Sequence, residues 1–441
     1  MFKALRKTAA GSLLLAVLTL SGAENTPQTI PNELLERARQ GEAQAQLEAG
    51  FAFYKLNNPV RAAYWFDAAA RQGVAEAQYN LARCYMAGYG VEKNLHRALE
   101  LFEQAAAGNI LPAELMLAQL LLSGIPAEPE AVPPRTAVAP DEARALKLLE
   151  KLTTLNYPEA MFTHAQYLIK KYPEAKKNQI ITLLKKAAEA DLTPAEIMLA
   201  DYLLNRTDEL RDEKLARTLL EKASAKSNEA LVKYAFAVEN GFGAPPDPAQ
   251  AYKLYKKGME KAFSPLAATR LANFYYNGSY GVKQDIATAF ELYSKAAAAG
   301  VPEAIYHLGE CYRHGIGAPQ DLRKAFELLF QAARRDYPLA QYAAGCCLAS
   351  GEGTPQDQQA AFYWFNQAAM RFEPRSMLEV GKRYLYGNGV EKDPVKAAAF
   401  LEQALANGMN EAAELLEEAR QKAAFPAIKE HPLPQFGLKP Q

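Results

Sequence analysis

A period of 36 residues runs through most of this chain, and it limits the possible folds more than any single motif does. The clearest copy reads Val301-Pro302-Glu303-Ala304-Ile305-Tyr306-His307-Leu308-Gly309-Glu310-Cys311-Tyr312-Arg313-His314-Gly315-Ile316-Gly317, followed by Asp321, Lys324, Ala325, Leu328 and the pair Ala332-Ala333. Thirty-six residues later stand Gly351, Gly353, Asp357, Ala361 and Ala368-Ala369, and 36 later again Gly387, Gly389, Asp393, Ala397 and Ala404. An earlier copy, 227 residues upstream, carries Ala77, Leu81, Ala82, Tyr85, Gly88, Gly90, Ala98 and Ala105-Ala106. A unit this short cannot enclose a core of its own, so its apolar faces must be buried by stacking on its neighbours.

Each unit reads as two helices. Ala304, Leu308, Cys311 and Tyr312 fall at i, i+4, i+7 and i+8, one apolar stripe of a first helix. Gly315 can end that helix in the left-handed conformation, and Gly317 keeps the turn tight. Asp321 can cap the second helix by accepting from an orphan backbone N–H. Ala325, Leu328 and Ala332 form the second stripe. No stretch alternates as a strand does.

The Leu-Gly-x-x-Tyr-x-x-Gly-x-Gly pattern at 308–317 returns with Val380 for leucine at 380–389, and with Ala82 for glycine at 81–90. Lys-Ala pairs at 324–325 and 396–397 recur with it. This pattern resembles the Sel1-like repeat, a relative of the tetratricopeptide repeat. The resemblance implies an all-α, right-handed superhelical solenoid of about ten helix-turn-helix units over residues 41–408. The units fall at 41–73, 74–108, 109–156, 157–191, 192–227, 228–264, 265–300, 301–336, 337–372 and 373–408. The match is weak in the third to fifth units, where Lys170 to Pro173 and Asn205 to Asp208 replace Gly-x-Gly. An insert over 125–140 carries Pro126, Pro129, Pro133, Pro134 and Pro140, which forbid helix and predict a mobile surface loop.

The ends differ from the repeats. Lys3, Arg6 and Lys7 precede an apolar stretch from Ala9 to Leu20, and Ser21-Gly22-Ala23 supplies small residues for cleavage. These features predict a signal peptide over 1–23 and an exported protein, periplasmic or secreted. The apolar stretch is too short to remain as a membrane span, so no integral membrane segment is expected after cleavage. Residues 24–40 lead into the repeats, 409–425 read as a capping helix, and 426–441 as a Pro-rich disordered tail. Lys plus Arg and Asp plus Glu each total 50, and removing three cations leaves 47 against 50, a net charge of −3. That balance excludes bulk nucleic-acid binding, which needs a strong positive field.

Candidate chemistry is sparse. His307, Cys311 and His314 share one side of a helix at a spacing that would suit zinc. Yet Cys84 and Cys347 occupy the register of Cys311, so packing explains the cysteine and no metal site is expected. A bridge from Cys311 to Cys346 or Cys347 would need a local shift, because packed helices lie about 8–10 Å apart. Trp65 and Trp364 share the register of Leu328 and read as core, whereas Tyr275, Tyr276, Tyr280 and Tyr386 sit near turns. No His-Glu-x-x-His, Gly-x-Ser-x-Gly, phosphate loop or Ser-x-x-Lys occurs, so neither catalytic residues nor cofactors are expected.

What the resemblance implies is a non-catalytic scaffold or adaptor of the bacterial cell envelope, a monomer or weak oligomer. It would bind a peptide or partner protein on a concave face lined by first helices. First-helix residues outside the apolar stripe are the candidate contacts: Arg83, Asn273, Tyr306, Glu310, Arg313, Glu379 and Arg383. A cell-wall-active hydrolase and a self-associating structural scaffold are the alternatives.

Overall fold

The computed structural model describes residues 30–130 and 133–424, so the expected signal peptide and Pro-rich tail lie outside the described residues. The described chain forms two compact units, 30–227 and 228–424. In the first, α1 (Asn32–Arg39) leads into α2 (Ala43–Lys55) and α3 (Pro59–Arg71), α4 (Ala75–Ala87) and α5 (Leu95–Ala107), and α6 (Leu111–Ser123) and α7 (Glu142–Thr154). It continues with α8 (Pro158–Lys171) and α9 (Lys177–Glu189), then α10 (Thr193–Leu204) and α11 (Glu213–Ser224). The second unit holds α12 (Asn228–Asn240) and α13 (Pro248–Lys261), α14 (Pro265–Asn277) and α15 (Ile286–Ala298), and α16 (Pro302–His314) and α17 (Leu322–Ala333). It ends with α18 (Pro338–Ser350) and α19 (Gln358–Ala369), α20 (Pro374–Tyr386) and α21 (Pro394–Ala406), and the single helix α22 (Ala412–Ala424). Within each unit, every helix packs mainly on the one before and the one after it, as in a solenoid.

Local chemistry sets the helix ends. Gly88, Gly278, Gly315, Gly351 and Gly387 end first helices in the left-handed region. Asp321 accepts from the Lys324 N–H at 2.9 Å, as expected, and an Asn or Asp caps every other second helix except α9. At α9 the position belongs to Lys176, which has no oxygen to offer. The same cap residues also close the turn: the Asp321 N–H donates to the Tyr312 carbonyl at 2.9 Å, and that of Asp393 to Tyr384 at 2.9 Å.

The second-helix stripe differs from the sequence expectation by one residue. Leu329 is fully buried and Leu328 only partly, so the stripe is Ala325, Leu329 and Ala332. Phe66 and Phe365 hold the Leu329 register and are buried, while Trp364, one residue earlier, is half-exposed. The reason lies opposite. A Cβ on Gly345 would come within 2.8 Å of the Phe365 ring, and one on Gly381 within 2.6 Å of Leu401. The mid-helix glycine of the repeat therefore exists to let a large second-helix side chain approach the first helix.

A second link joins successive pairs. Gln46, Gln78 and Gln341 each donate to the carbonyl eight residues back, at Ala38, Ala70 and Ala333, over 3.1–3.4 Å. In α6 and α10 the position is Glu114 and Glu196, which cannot donate when ionised. Lys151 meets Glu114 at 2.7 Å and Lys222 meets Glu196 at 2.6 Å instead.

The described residues of the insert, 125–130 and 133–140, are non-helical, as its prolines predict, and they are tied by backbone bridges. Ile125 and Val138 exchange two backbone hydrogen bonds at 2.9 and 2.8 Å, and Glu128 and Arg135 two more at 2.9 and 3.1 Å. Ile125 is buried, and His96 Nε2 donates to the Thr136 carbonyl at 2.6 Å. Two antiparallel bridges appear where no alternation of apolar and polar residues announced them. Backbone pairing, the buried Ile125 side chain and an ion pair between Arg135 and Glu128 hold them.

Candidate functional site

The first helices of residues 228–424 carry a ladder of polar and aromatic side chains that crosses from one pair to the next. Arg270 on α14 donates from Nη2 to Glu303 Oε2 on α16 at 3.1 Å, and Asn273 Nδ2 donates to Glu303 Oε1 at 3.2 Å. Tyr306 on α16 packs on Tyr337, which precedes α18, with ring centroids 5.4 Å apart, within the range aromatic pairs prefer. Arg313 holds Glu352, just beyond α18, through Nε to Oε1 at 2.9 Å and Nη2 to Oε2 at 2.7 Å. Arg375 on α20 lies over the Tyr342 ring of α18, 4.4 Å from its centroid. Two parallel charge-assisted bonds and a cation over a ring fix these side chains before any partner arrives.

The seven sequence candidates separate on this geometry. Tyr306, Glu310, Arg313 and Glu379 are half-exposed in the 228–424 unit. Glu310 lies 3.8 Å from Arg313, and Lys382 meets Glu379 at 3.1 Å. Arg83 belongs to the other unit, where its guanidinium lies 5.6 Å from the centroid of Tyr79.

Arg383 and Asn273 are placed otherwise than as open contacts. Arg383 is 6% exposed, over the Phe365 ring at 4.8 Å, and donates to Gln358 Oε1 at 2.9 Å. It stands 36 residues beyond Cys347, in the register of the core cysteines, and helical phase within one helix did not reveal that. Asn273 takes the register of Gly309, and Tyr293 that of Leu329. The Tyr293 hydroxyl donates to Asn273 Oδ1 at 2.6 Å, so a polar pair replaces the glycine–leucine contact there.

Arg270, Tyr337, Tyr342, Glu352 and Arg375 went unnoticed in the sequence. Arg270 and Tyr342 share the register of Tyr306, so a step of 36 residues in either direction would have found them.

Burial pushes the Cys311 thiol up to about 11, with Glu310 adding to the effect. Burial pushes the Tyr306 hydroxyl up to about 12. His307 is stacked on Tyr293 at 5.0 Å, and burial lowers its pKa below the ordinary histidine value, opposed by Glu303. His314 is exposed beside Glu310 at 3.6 Å. Among the described residues no three His, Cys, Asp or Glu side chains converge as metal ligands would. All four cysteines are free thiols, Cys346 and Cys347 included.

Hairpins of this length, several joined by Gly-x-Gly turns and stacked in series within each unit, define a helical-repeat scaffold. The profile of the Sel1 repeat family matches residues 43–74, 75–110, 112–157, 193–228, 228–261, 265–301, 302–337, 338–371 and 374–409, and the chain belongs to that family. The one hairpin left out, α8 with α9, is the one whose second helix has no Asn or Asp cap. Repeats of this class generally serve as protein-interaction scaffolds and are typically non-catalytic.

Among solved structures the chain is similar to c5321, a protective antigen of uropathogenic Escherichia coli with an SLR fold. The identity is 24% and the TM-score 0.54, over 90% of this chain and 91% of that one. It is also similar to a Sel1 repeat protein from Oxalobacter formigenes, at 24% identity and a TM-score of 0.46, over 54% of this chain and 96% of that one. No curated protein matches the sequence. No helix among the described residues is long and apolar enough to cross a membrane.

Proposed function

We propose that the protein is an exported, non-catalytic scaffold of the bacterial cell envelope that holds a peptide or partner protein on the first-helix side of residues 228–424. The observation that carries this reading is the ladder from Arg270 to Arg375. Its side chains are held by contacts between successive repeats, yet Glu310 and Arg313 keep 26% and 23% of their surface open. A partner meeting such a face encounters side chains already ordered, which lowers the entropy lost on binding. The basic, apolar and small-residue sequence of positions 1–23 supports export.

Proximity labelling in the native envelope tests the site. The unaltered protein should label a defined set of proteins, and Glu310→Lys combined with Tyr306→Ala should lose that set while the fold persists by circular dichroism. Labelling that survives the double variant would remove this face from consideration. Export is tested separately: the mature N-terminus should be Glu24.

A further inference from the structure

A second surface of the 228–424 unit breaks the rules of the repeat. The turns after α15, α17, α19 and α21 each hold one residue at positive φ. It is Gly300, Asp336 and Gly408 in the first, second and fourth copies of this register, but Phe372 in the third, at φ 61°. A bulky side chain is rarely tolerated there, because its Cβ crowds the following carbonyl. The same position normally joins a clasp between neighbouring repeats: Arg335 donates to the Gly300 carbonyl, and Arg371 to the Asp336 carboxylate. Phe372 has no side-chain acceptor, and Asn407, in the register of Arg335 and Arg371, donates to the Gln403 carbonyl at 2.8 Å instead. Phe372 is 77% exposed, and Met370 and Tyr363 near it in sequence are 66% and 54% exposed. An outlier of backbone and of burial at one position points to use by a partner.

A cleft of about 530 Å³ opens between α17 and α19 on this same surface. Phe330 and Trp364, edge to face at 5.3 Å, line it together with Tyr363. Asp336 on its wall is neutralised by Arg371. Arg334 also lines it, exposed and without an ion pair among the described residues. Gln341 is 1% exposed and lines the cleft as well, and its Oε1 is buried with no donor. The site therefore combines aromatic walls, one uncompensated cation and one unmet acceptor.

We propose that this cleft is a second docking site, separate from the first-helix face, for an extended peptide in which an aromatic side chain is followed by a carboxylate. The aromatic ring packs against Tyr363 and Trp364, the carboxylate pairs with Arg334, and a peptide N–H satisfies Gln341 Oε1. Charge complementarity selects the acidic residue, and Phe372 and Met370 extend the apolar contact beyond the cleft. A glycan would use the aromatic wall but has no need of an unpaired arginine.

Trp364 is one of two tryptophans, so Trp65→Phe makes its emission a private reporter. The probe is acetyl-Phe-Glu-Glu-amide, compared with acetyl-Phe-Gln-Gln-amide and with chitotetraose. The acidic peptide should shift the emission and saturate, and its neutral analogue should bind at least about ten-fold more weakly. Arg334→Gln should weaken the acidic peptide by a similar factor, the loss expected for a charge-assisted hydrogen bond. Phe372→Gly should weaken binding while raising Tm by about 2–4 °C, because the strained residue is relieved. Should Trp65→Phe fail to fold, calorimetry on the unaltered chain reads the same titration. The proposal fails if neither peptide binds, if chitotetraose binds instead, if Arg334→Gln leaves the affinity unchanged, or if Phe372→Gly lowers Tm.

Discussion

Asn273 and Tyr293 show how a repeat exchanges one contact for another of different chemistry. Elsewhere in this unit a glycine accommodates a large apolar residue, as Gly345 does Phe365. Here the backbone is met by a hydroxyl bonded to an amide oxygen at 2.6 Å. Asn273→Gly leaves the Tyr293 hydroxyl unpaired in a buried place, at a cost of about 1–3 kcal/mol. Adding Tyr293→Leu recreates the Gly309–Leu329 pair and should recover most of that loss in urea unfolding. If the two losses simply add, the two pairs are not interchangeable. At this scale the sequence was only partly legible. The core alanines and cysteines were readable from helical phase. Arg383 was not, because a first helix is buried on two sides, against the second helix before it and the one after it. An apolar stripe drawn on one helix marks only one of those sides.

Between residue and molecule, the cap of the second helix is the most regular element of the chain. Asp357 accepts from the Ala360 N–H at 2.9 Å, and its own N–H closes the turn on the Leu348 carbonyl at 2.8 Å. Asp357→Ala removes the first bond and keeps the second, so it should cost about 1 kcal/mol in chemical denaturation. Asp357→Asn should cost much less, since its amide oxygen still accepts. A loss as large for asparagine as for alanine would mean that charge, not the bond, is what matters. Helix pairing and turn positions were legible because glycine and aspartate mark them by backbone chemistry. The bridges within the insert were not legible, because prolines exclude a helix without marking where backbone pairing will form. The second-helix stripe was misplaced by one residue because leucine follows leucine at 328–329, and only the opposing glycine decides which one turns inward.

Each of the two units contains a histidine with a lowered pKa, the buried His164 in one and the half-buried His307 in the other. In both, burial is the largest cause. Their folded values lie below the ordinary 6.5, so the unfolded chain binds protons first as pH falls. The stability they contribute is complete above pH 6.5 and is lost as pH drops through the folded values. Thermal melts of the unaltered chain should therefore decline below that pH. The double variant His164→Phe, His307→Phe should flatten the decline, with the ring stack on Tyr293 kept by the second change. An unaltered slope would assign acid sensitivity to the carboxylates instead.

The insert between α6 and α7 has a further consequence for how such a chain can change. The Asp141 N–H donates to the Leu121 carbonyl at 2.8 Å, 20 residues back where Asp321 and Tyr312 are separated by 9. The closing bond is the same, and within the 11 additional residues' span Ile125 pairs with Val138 and Glu128 with Arg135. Length added at that point is invisible to the stack. The turn between paired helices thus behaves as a cloning site within the architecture, where new sequence can be displayed while the spacing of the repeats stays as it was.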